Sequence, residues 1–298
     1  MSEPQRTIGY LAQVACTWEV LARKAGNVCP GREFPDLCVD DFLKSAAAIA
    51  PVLDQAPHQP LGVTILRCIE ETRKVVDTNT NLGIVLVLAP LASVPLDEPL
   101  YPAIADLLGR TTVVDTRNVY AAVRLANPGG MGEVNDQDIR GEPTLPLLEV
   151  MSLAKDRDQV AREYALAFLD TRTFGLFGLP GNPAGFHSIE HLVVEFQLDL
   201  LRSKPDSLIA RKRGQREAEN VRHWAGNLIF AGGLDTPEGK RAYREFDTWL
   251  RSDNHARNPG TTADLIAAAL FVALRDSRIP LSMPFVWEGH PFEEPRTK

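Results

Sequence analysis

No apolar run in this sequence is long enough to cross a membrane. A spanning helix needs about 20 consecutive apolar residues, and stretches such as Ile84 to Ala89 fall far short. Cysteine is scarce. The four present, Cys16, Cys29, Cys38 and Cys68, form no C-x-x-C pair. That points to free thiols in a reducing compartment, each behaving as a small buried hydrophobe. The opening stretch Met1 to Tyr10 is polar, without the apolar centre of a secretory signal, so the expected location is the cytoplasm. Positive charge is not in excess either: the net charge is -7 and the pI is near 5.5. A basic face for nucleic acid is therefore not expected, although a local basic patch could hold phosphates. Strand-like alternation, internal repeats, low-complexity tracts and linkers are all missing.

What remains is helical periodicity in a chain of ordinary globular composition, 44% hydrophobic and 24% charged. Ile8, Leu11, Ala12 and Ala15 share a face of a first helix that Gly26 and Asn27 would stop. Asp40 would cap a second, carrying Phe42, Ala46, Ile49, Ala50 and Leu53. A third carries Leu61, Ile65, Cys68, Ile69, Thr72 and Val76. Ile84 to Ala89 has few β-branched residues and no partner strands, so it reads as a helix buried on all sides. Further helices are expected from Asp115 to Asn127, over 146–155, 158–171, 187–203, 215–231 and 237–251, and from Thr261 to Arg275. Residues 131–145 and Phe174 to Phe186 read as loops. The expected fold is all-α: a compact multi-helix bundle with long loops, one domain over 1–279, followed by an extended tail over 280–298.

Four polar constellations could carry chemistry. Glu19, Arg32, Asp36, Asp40, Asp41, Glu70 and Arg73 gather around the first three helices, ahead of Asn79-Thr80-Asn81-Leu82-Gly83. Gly83 inside a helix costs about 1 kcal/mol relative to alanine, so something should pack closely against it. Asp206 to Gly214 contains Arg211-Lys212-Arg213, donors suited to a polyphosphate. Asn258 to Leu265 offers a helix start at Thr261 with Asp264 three positions on, near a capping box, and N–H groups that could meet an anion. Each also has a purely structural account as caps, surface ion pairs or cations at a helix C-terminus. The fourth is His187-Ser188-Ile189-Glu190-His191, an H-x-x-E-H pattern that could hold zinc between His187 and His191 with Glu190 as base. The structural account is a helix N-terminus whose histidines bond loop carbonyls, and a five-residue pattern with three fixed positions arises by chance in many proteins.

In order along the chain, these segments resemble one family. Glu19-Val20, Pro30-Gly31 and Asp41-Phe42-Leu43-Lys44-Ser45-Ala46 are similar to the opening of the triphosphoribosyl-dephospho-CoA synthases. Asn79-Thr80-x-x-Gly83 resembles that family's Asn-Thr-His-x-Gly. Asp206-Ser207-Leu208-Ile209-Ala210-Arg211 resembles its Asp-Thr-Asn-Val-Ala-Ser-Arg, and Asn258-Pro259-Gly260-Thr261-Thr262-Ala263-Asp264-Leu265 its closing Ser-Pro-Gly-Gly-Ser-Ala-Asp-Leu. The resemblance covers residues 19–266 and implies an all-helical transferase. Such an enzyme joins the ribose C1 of ATP to the 2′-hydroxyl of 3′-dephospho-CoA and releases adenine, in making a prosthetic-group precursor.

On that resemblance, Glu19, Asp40, Asp41 and Glu70 are the candidate catalytic carboxylates for an oxocarbenium-like centre. Arg32, Ser45, Arg73, Asn79, Thr80, Asn81, Gly83, Asp206, Arg211, Lys212, Arg213, Gly260 and Asp264 are the candidate nucleotide-binding residues, with Mg²⁺ carried on ATP. Two family histidines are missing: Asn81 stands where one is expected, and Phe34 to Asp40 lacks the other. Residues 171–200 look inserted. The chain reads as a divergent branch whose acceptor could be dephospho-CoA-like or another coenzyme, for example of a one-carbon pterin pathway. The competing readings are a zinc-dependent hydrolase at 187–191 and a non-catalytic helical scaffold. Neither nucleic acid nor membrane is an expected partner.

Overall fold

The computed structural model describes residues 6–129, 136–173, 188–230 and 233–293. Among them are fourteen α-helices and no strand. In chain order these are α1 (Ile8–Leu21), α2 (Val39–Asp54), α3 (Leu61–Arg73), α4 (Leu82–Ala92), α5 (Leu100–Gly109), α6 (Val113–Ala126) and α7 (Leu147–Ala154). Then come α8 (Gln159–Ala165), α9 (Leu169–Thr173), α10 (Ile189–Ser203), α11 (Ser207–Arg213), α12 (Gln215–Phe230), α13 (Pro237–His255) and α14 (Gly260–Arg275).

The helix expected at Ile84 to Ala89 is α4. Its apolar residues run all round the axis, so it can be stable only when enclosed, and it is enclosed by α14, α3 and α1. Pro90 lies inside α4 and has no N–H to give the carbonyl of Leu86. The hydroxyl of buried Tyr164, on α8, donates to that carbonyl at 2.7 Å and makes good the loss. α14 is the central rod: every residue from Leu265 to Leu274 is buried, against α1, α4 and α10. α1 crosses α2 so closely that a Cβ on Gly9 would lie 2.0 Å from the carbonyl oxygen of Ala50. α10 divides the interior. Ile189, Leu192, Val193 and Phe196 join the main core, while Val194, Leu198 and Leu201 join a second core made with α12 and α13.

Several boundaries differ from the periodicity. The N-cap of α2 is Cys38, whose N–H is accepted by the Asp41 carboxylate at 3.2 Å. Asp40 is exposed and pairs with Lys44 at 2.6 Å. The helix expected over 158–171 is broken between α8 and α9, where Ala167 and Phe168 take φ of 49° and 59° and Phe168 turns fully into the core. α5 is absent from the expected helices, and α11 matches the structural account of Asp206 to Gly214 as a helix end carrying cations. The loop expected at Phe174 to Phe186, and residues 131–135 of the other loop, lie outside the described residues.

The segment from Pro280 folds back on the helices. The carbonyls of Pro284 and Phe285 accept the N–H groups of Ile189 and Glu190, capping α10 at 2.9 and 3.0 Å. Trp287 and Phe292 pack on the second core. Three of the cysteines are buried and Cys38 is half-buried; all four are free. Burial pushes the thiols of Cys16 and Cys68 far up, which makes them poor nucleophiles. Among the described residues no helix is long and apolar enough to cross a membrane.

Candidate active site

One large cavity, about 760 Å³, opens where α1, α4, α6, α7, α11 and the start of α14 meet. Its polar side draws on four stretches far apart in sequence: Glu19 and Asn27; Arg73 with Asp77 to Gly83; Leu208, Arg211 and Lys212; and Asn258 to Asp264. Apolar lining comes from Val119 and Val123 of α6 with Leu147, Val150, Met151 and Leu153 of α7.

Asp264 and Glu19 form the floor. Asp264 faces the N-terminus of α4, and a Cβ on Gly83 would lie 2.0 Å from its Oδ2. The close packing expected at Gly83 is thus present, and its partner is a carboxyl group. Burial raises Asp264 well above the usual carboxylate range. The charges of Glu19, Asp206 and Asp158 push it the same way, opposed by Arg211. Glu19 is 3% exposed and pairs with Lys24, itself fully buried, at 2.9 Å. Lys24 also donates to the carbonyls of Glu19 and Ala22. These contacts satisfy the ammonium donors at the point where α1 ends and the chain turns extended at Ala22.

The Asn-Thr-Asn segment is held from behind. Thr80 and Ser45 hydroxyls lie 2.6 Å apart, the Asn81 amide donates to Thr72 at 2.9 Å, and Asn79 accepts the N–H of Leu82 at 3.2 Å to cap α4. Ser45 therefore supports the wall without lining it. Arg73 lines the cavity and donates to the Asp77 carbonyl.

Asp206 is fully buried and ties two helix starts together. Its Oδ1 accepts Leu208 and Ile209 N–H at 2.9 and 3.0 Å, and its Oδ2 accepts the N–H and hydroxyl of Thr262, both at 2.8 Å. It is raised by burial, against the pull of those donors. It positions α11 against α14, and through them Arg211 against Asp264, rather than meeting a ligand. Gly260 lets Leu208 approach: a Cβ there would stand 2.5 Å from Leu208 Cδ2.

The rim is cationic. Arg211 and Lys212 are exposed; Arg211 stands 3.7 Å from Asp158, whose other oxygen caps α8. Partial burial, then the charge of Arg211, holds Lys212 below the ordinary lysine range, while Asp206 and Asp36 pull the other way.

The remaining expected site residues stand outside the cavity wall. Arg32 pairs with fully buried Asp247, 215 positions away, and lies 4.2 Å over the ring of Phe292. Asp41 is spent on the α2 cap, Asp40 on Lys44, and Glu70 is exposed on α3. Arg213 turns outward to Asp253 at 3.2 Å. Asn27 and Asp158 are additions to the wall and Lys24 one behind it, while Asp36 and Asn258, named within the polar constellations, also line it. Asn27 joins the turn before α14 by donating to Asn258 at 2.7 Å, while accepting from buried Gln197 at 2.8 Å. Asp158 had a signal, since it begins an apolar helical stretch as an N-cap would. The Lys24–Glu19 pair had none.

The zinc reading does not fit what surrounds it. His187 lies outside the described residues. Glu190 accepts Arg23 Nε at 2.6 Å, Arg23 Nη2 at 2.8 Å and the N–H of Trp287 at 3.0 Å. Burial would raise Glu190, but Arg23 and Trp287 hold it below the usual carboxylate range. It is a structural anchor for the tail, not a base for bound water. His191 stacks on Trp287 with centroids 4.1 Å apart, and among the described residues no group of three His, Cys, Asp or Glu could hold a metal.

The family model for the ATP:dephospho-CoA triphosphoribosyl transferases matches residues 5–282. A crystal structure from Archaeoglobus fulgidus, described as a triphosphoribosyl-dephospho-CoA synthase, is 30% identical with a TM-score of 0.64. It is covered over 98% of its length but accounts for 80% of this chain. No curated protein matches. With the match spanning nearly the whole described bundle, the chain belongs to the triphosphoribosyl-dephospho-CoA synthase family of transferases.

Proposed function

We propose that this cavity binds ATP and transfers its triphosphoribosyl group to a hydroxyl of a dephospho-CoA-like acceptor, releasing adenine. The observation that carries this reading is the convergence of Glu19, Asn79 to Gly83, Arg211 and Asp264 on one cavity, with buried Glu19 and half-buried Asp264 on its inner side and exposed cations at its rim.

In the transfer, the C1–N bond breaks with its electron pair leaving on the base. A bond forms from C1 to the acceptor oxygen, whose proton passes to a carboxylate of the cavity. A carboxyl that keeps its proton at higher pH than usual suits protonation of the departing base, and Asp264 is such a group. Glu19, fixed by Lys24, supplies negative charge towards the ribose carbon as it becomes cationic. Asn79 and the other polar groups of the 77–81 turn offer hydrogen bonds to the ribose hydroxyls or base. Arg211 and Lys212 meet the triphosphate, which stays on the product and needs cations throughout.

Magnesium on a nucleotide is usually held by phosphate oxygens and one or two carboxylates, not by a protein cage. The donor set here fits that pattern, since Asp36 and Asp158 present hard oxygen ligands beside the rim cations. The ion would supply charge neutralisation on the phosphates.

The test is incubation with ATP, Mg²⁺ and dephospho-CoA, followed by chromatography for free adenine. The wild-type chain should release adenine, and Asp264→Asn should slow release by about a hundredfold. Arg211→Ala should raise KM for ATP. No adenine from the wild type, together with no calorimetric ATP binding, would refute the reading.

A further inference from the structure

The cavity does not end at its rim. Lys212 also lines a separate outer groove, shared with Arg213, Arg216, Glu217 and Asn220, along α11 and the first turns of α12. The one acid among its lining residues, Glu217, is already engaged, and so is Asp253, which pairs with Arg213. Glu217 accepts from Arg257 and, at 3.0 Å, from Asn220; Asp253 pairs with Arg213 at 3.2 Å and Arg257 at 2.8 Å. Arg216 and Lys212 have no ion-pair partner among the described residues, and both are exposed. The groove therefore carries uncompensated positive charge immediately beyond the cavity mouth.

Size gives this groove a purpose. A volume of about 760 Å³ is that of a site for one drug-sized substrate, yet the proposed transfer unites two phosphorylated nucleosides. The donor's reacting carbon must reach the floor, so the rest of the second substrate has to extend past the rim. The groove lies on that path and offers guanidinium groups suited to paired phosphate oxygens.

Building on the transferase reading, we infer that the Arg213–Arg216 side of this groove is a second anion site that holds the diphosphate of the acceptor, beyond Lys212, which faces the donor's triphosphate. Arg216 sets acceptor affinity without touching the reacting atoms.

The experiment uses the full chain and two exchanges at one exposed side chain, Arg216→Ala and Arg216→Glu. Both should leave the helical spectrum and Tm unchanged. The Kd of dephospho-CoA, measured by calorimetry, should weaken roughly tenfold in Arg216→Ala and further in Arg216→Glu. The Kd of ATP should stay within about twofold. Pantetheine, which lacks the diphosphate, should show no difference between wild type and variants. Unchanged dephospho-CoA binding in Arg216→Glu would overturn the inference, as would weakening of ATP instead. Adenine release by the wild type is scored separately. If it fails while Arg216→Glu still weakens dephospho-CoA binding, the transfer reading falls and the groove stands.

Discussion

The Gly83 backbone lies against the Asp264 carboxyl so closely that a Cβ would come within 2.0 Å of Oδ2. One glycine, at the start of a buried helix, thereby fixes where an acid of another helix can sit. In Gly83→Ala the carboxyl can swing away, so the fold should survive, helped by about 1 kcal/mol of helix propensity. A carboxyl displaced by about an ångström should nonetheless cost roughly a hundredfold in adenine release. Tm within a few degrees of wild type alongside near-full activity would show that the contact has no catalytic importance.

Asp264 should also leave a mark on stability against pH. Its folded pKa lies above its unfolded one. Holding it in the fold therefore costs nothing below the unfolded value, about 3.9, and costs progressively more as pH rises from there through the folded pKa. Asp264→Asn removes that cost. The variant should unfold at higher urea than wild type at pH 7, and the two midpoints should meet below about pH 4.

Lys24→Met tests the other floor acid. It strips a fully buried partner from Glu19, which is 3% exposed. Removing one side of a buried pair costs about 3–5 kcal/mol, and the double variant Lys24→Met with Glu19→Gln should recover most of the loss. Equal urea midpoints for Lys24→Met and wild type would contradict the pairing.

Much of this site was readable in the chain, for identifiable reasons. α4 announces itself by apolar residues on every side, and the cost of Gly83 within it announces a close neighbour. The Asp264 turn and the 79–83 segment share a family pattern. Long-range partners were not readable. Nothing near Arg32 in sequence reveals that Asp247 claims it, and nothing near Glu190 reveals Arg23. Arg211, Lys212 and Arg213 look interchangeable as a run. On a helix, neighbours diverge by about 100°, so the run is split: Arg211 lines the cavity, Arg213 the outer groove, and Lys212 both. Asp206 has two readings because a carboxylate heading a basic helix suits a ligand as well as a cap.

Asp206→Ala separates those two roles. Four hydrogen bonds at two helix starts disappear, leaving buried N–H groups unpaired. A loss of about 2–4 kcal/mol in urea unfolding is expected. A stable variant with only a raised KM for ATP would assign Asp206 to the substrate instead.

The most direct measurement is mass spectrometry of the complete reaction of the wild-type chain with ATP, Mg²⁺ and dephospho-CoA. Adenine and a joined product, dephospho-CoA plus one triphosphoribosyl group, should accumulate in equal amounts. ATP left intact, or adenine formed with no joined product, would contradict the transfer at this cavity.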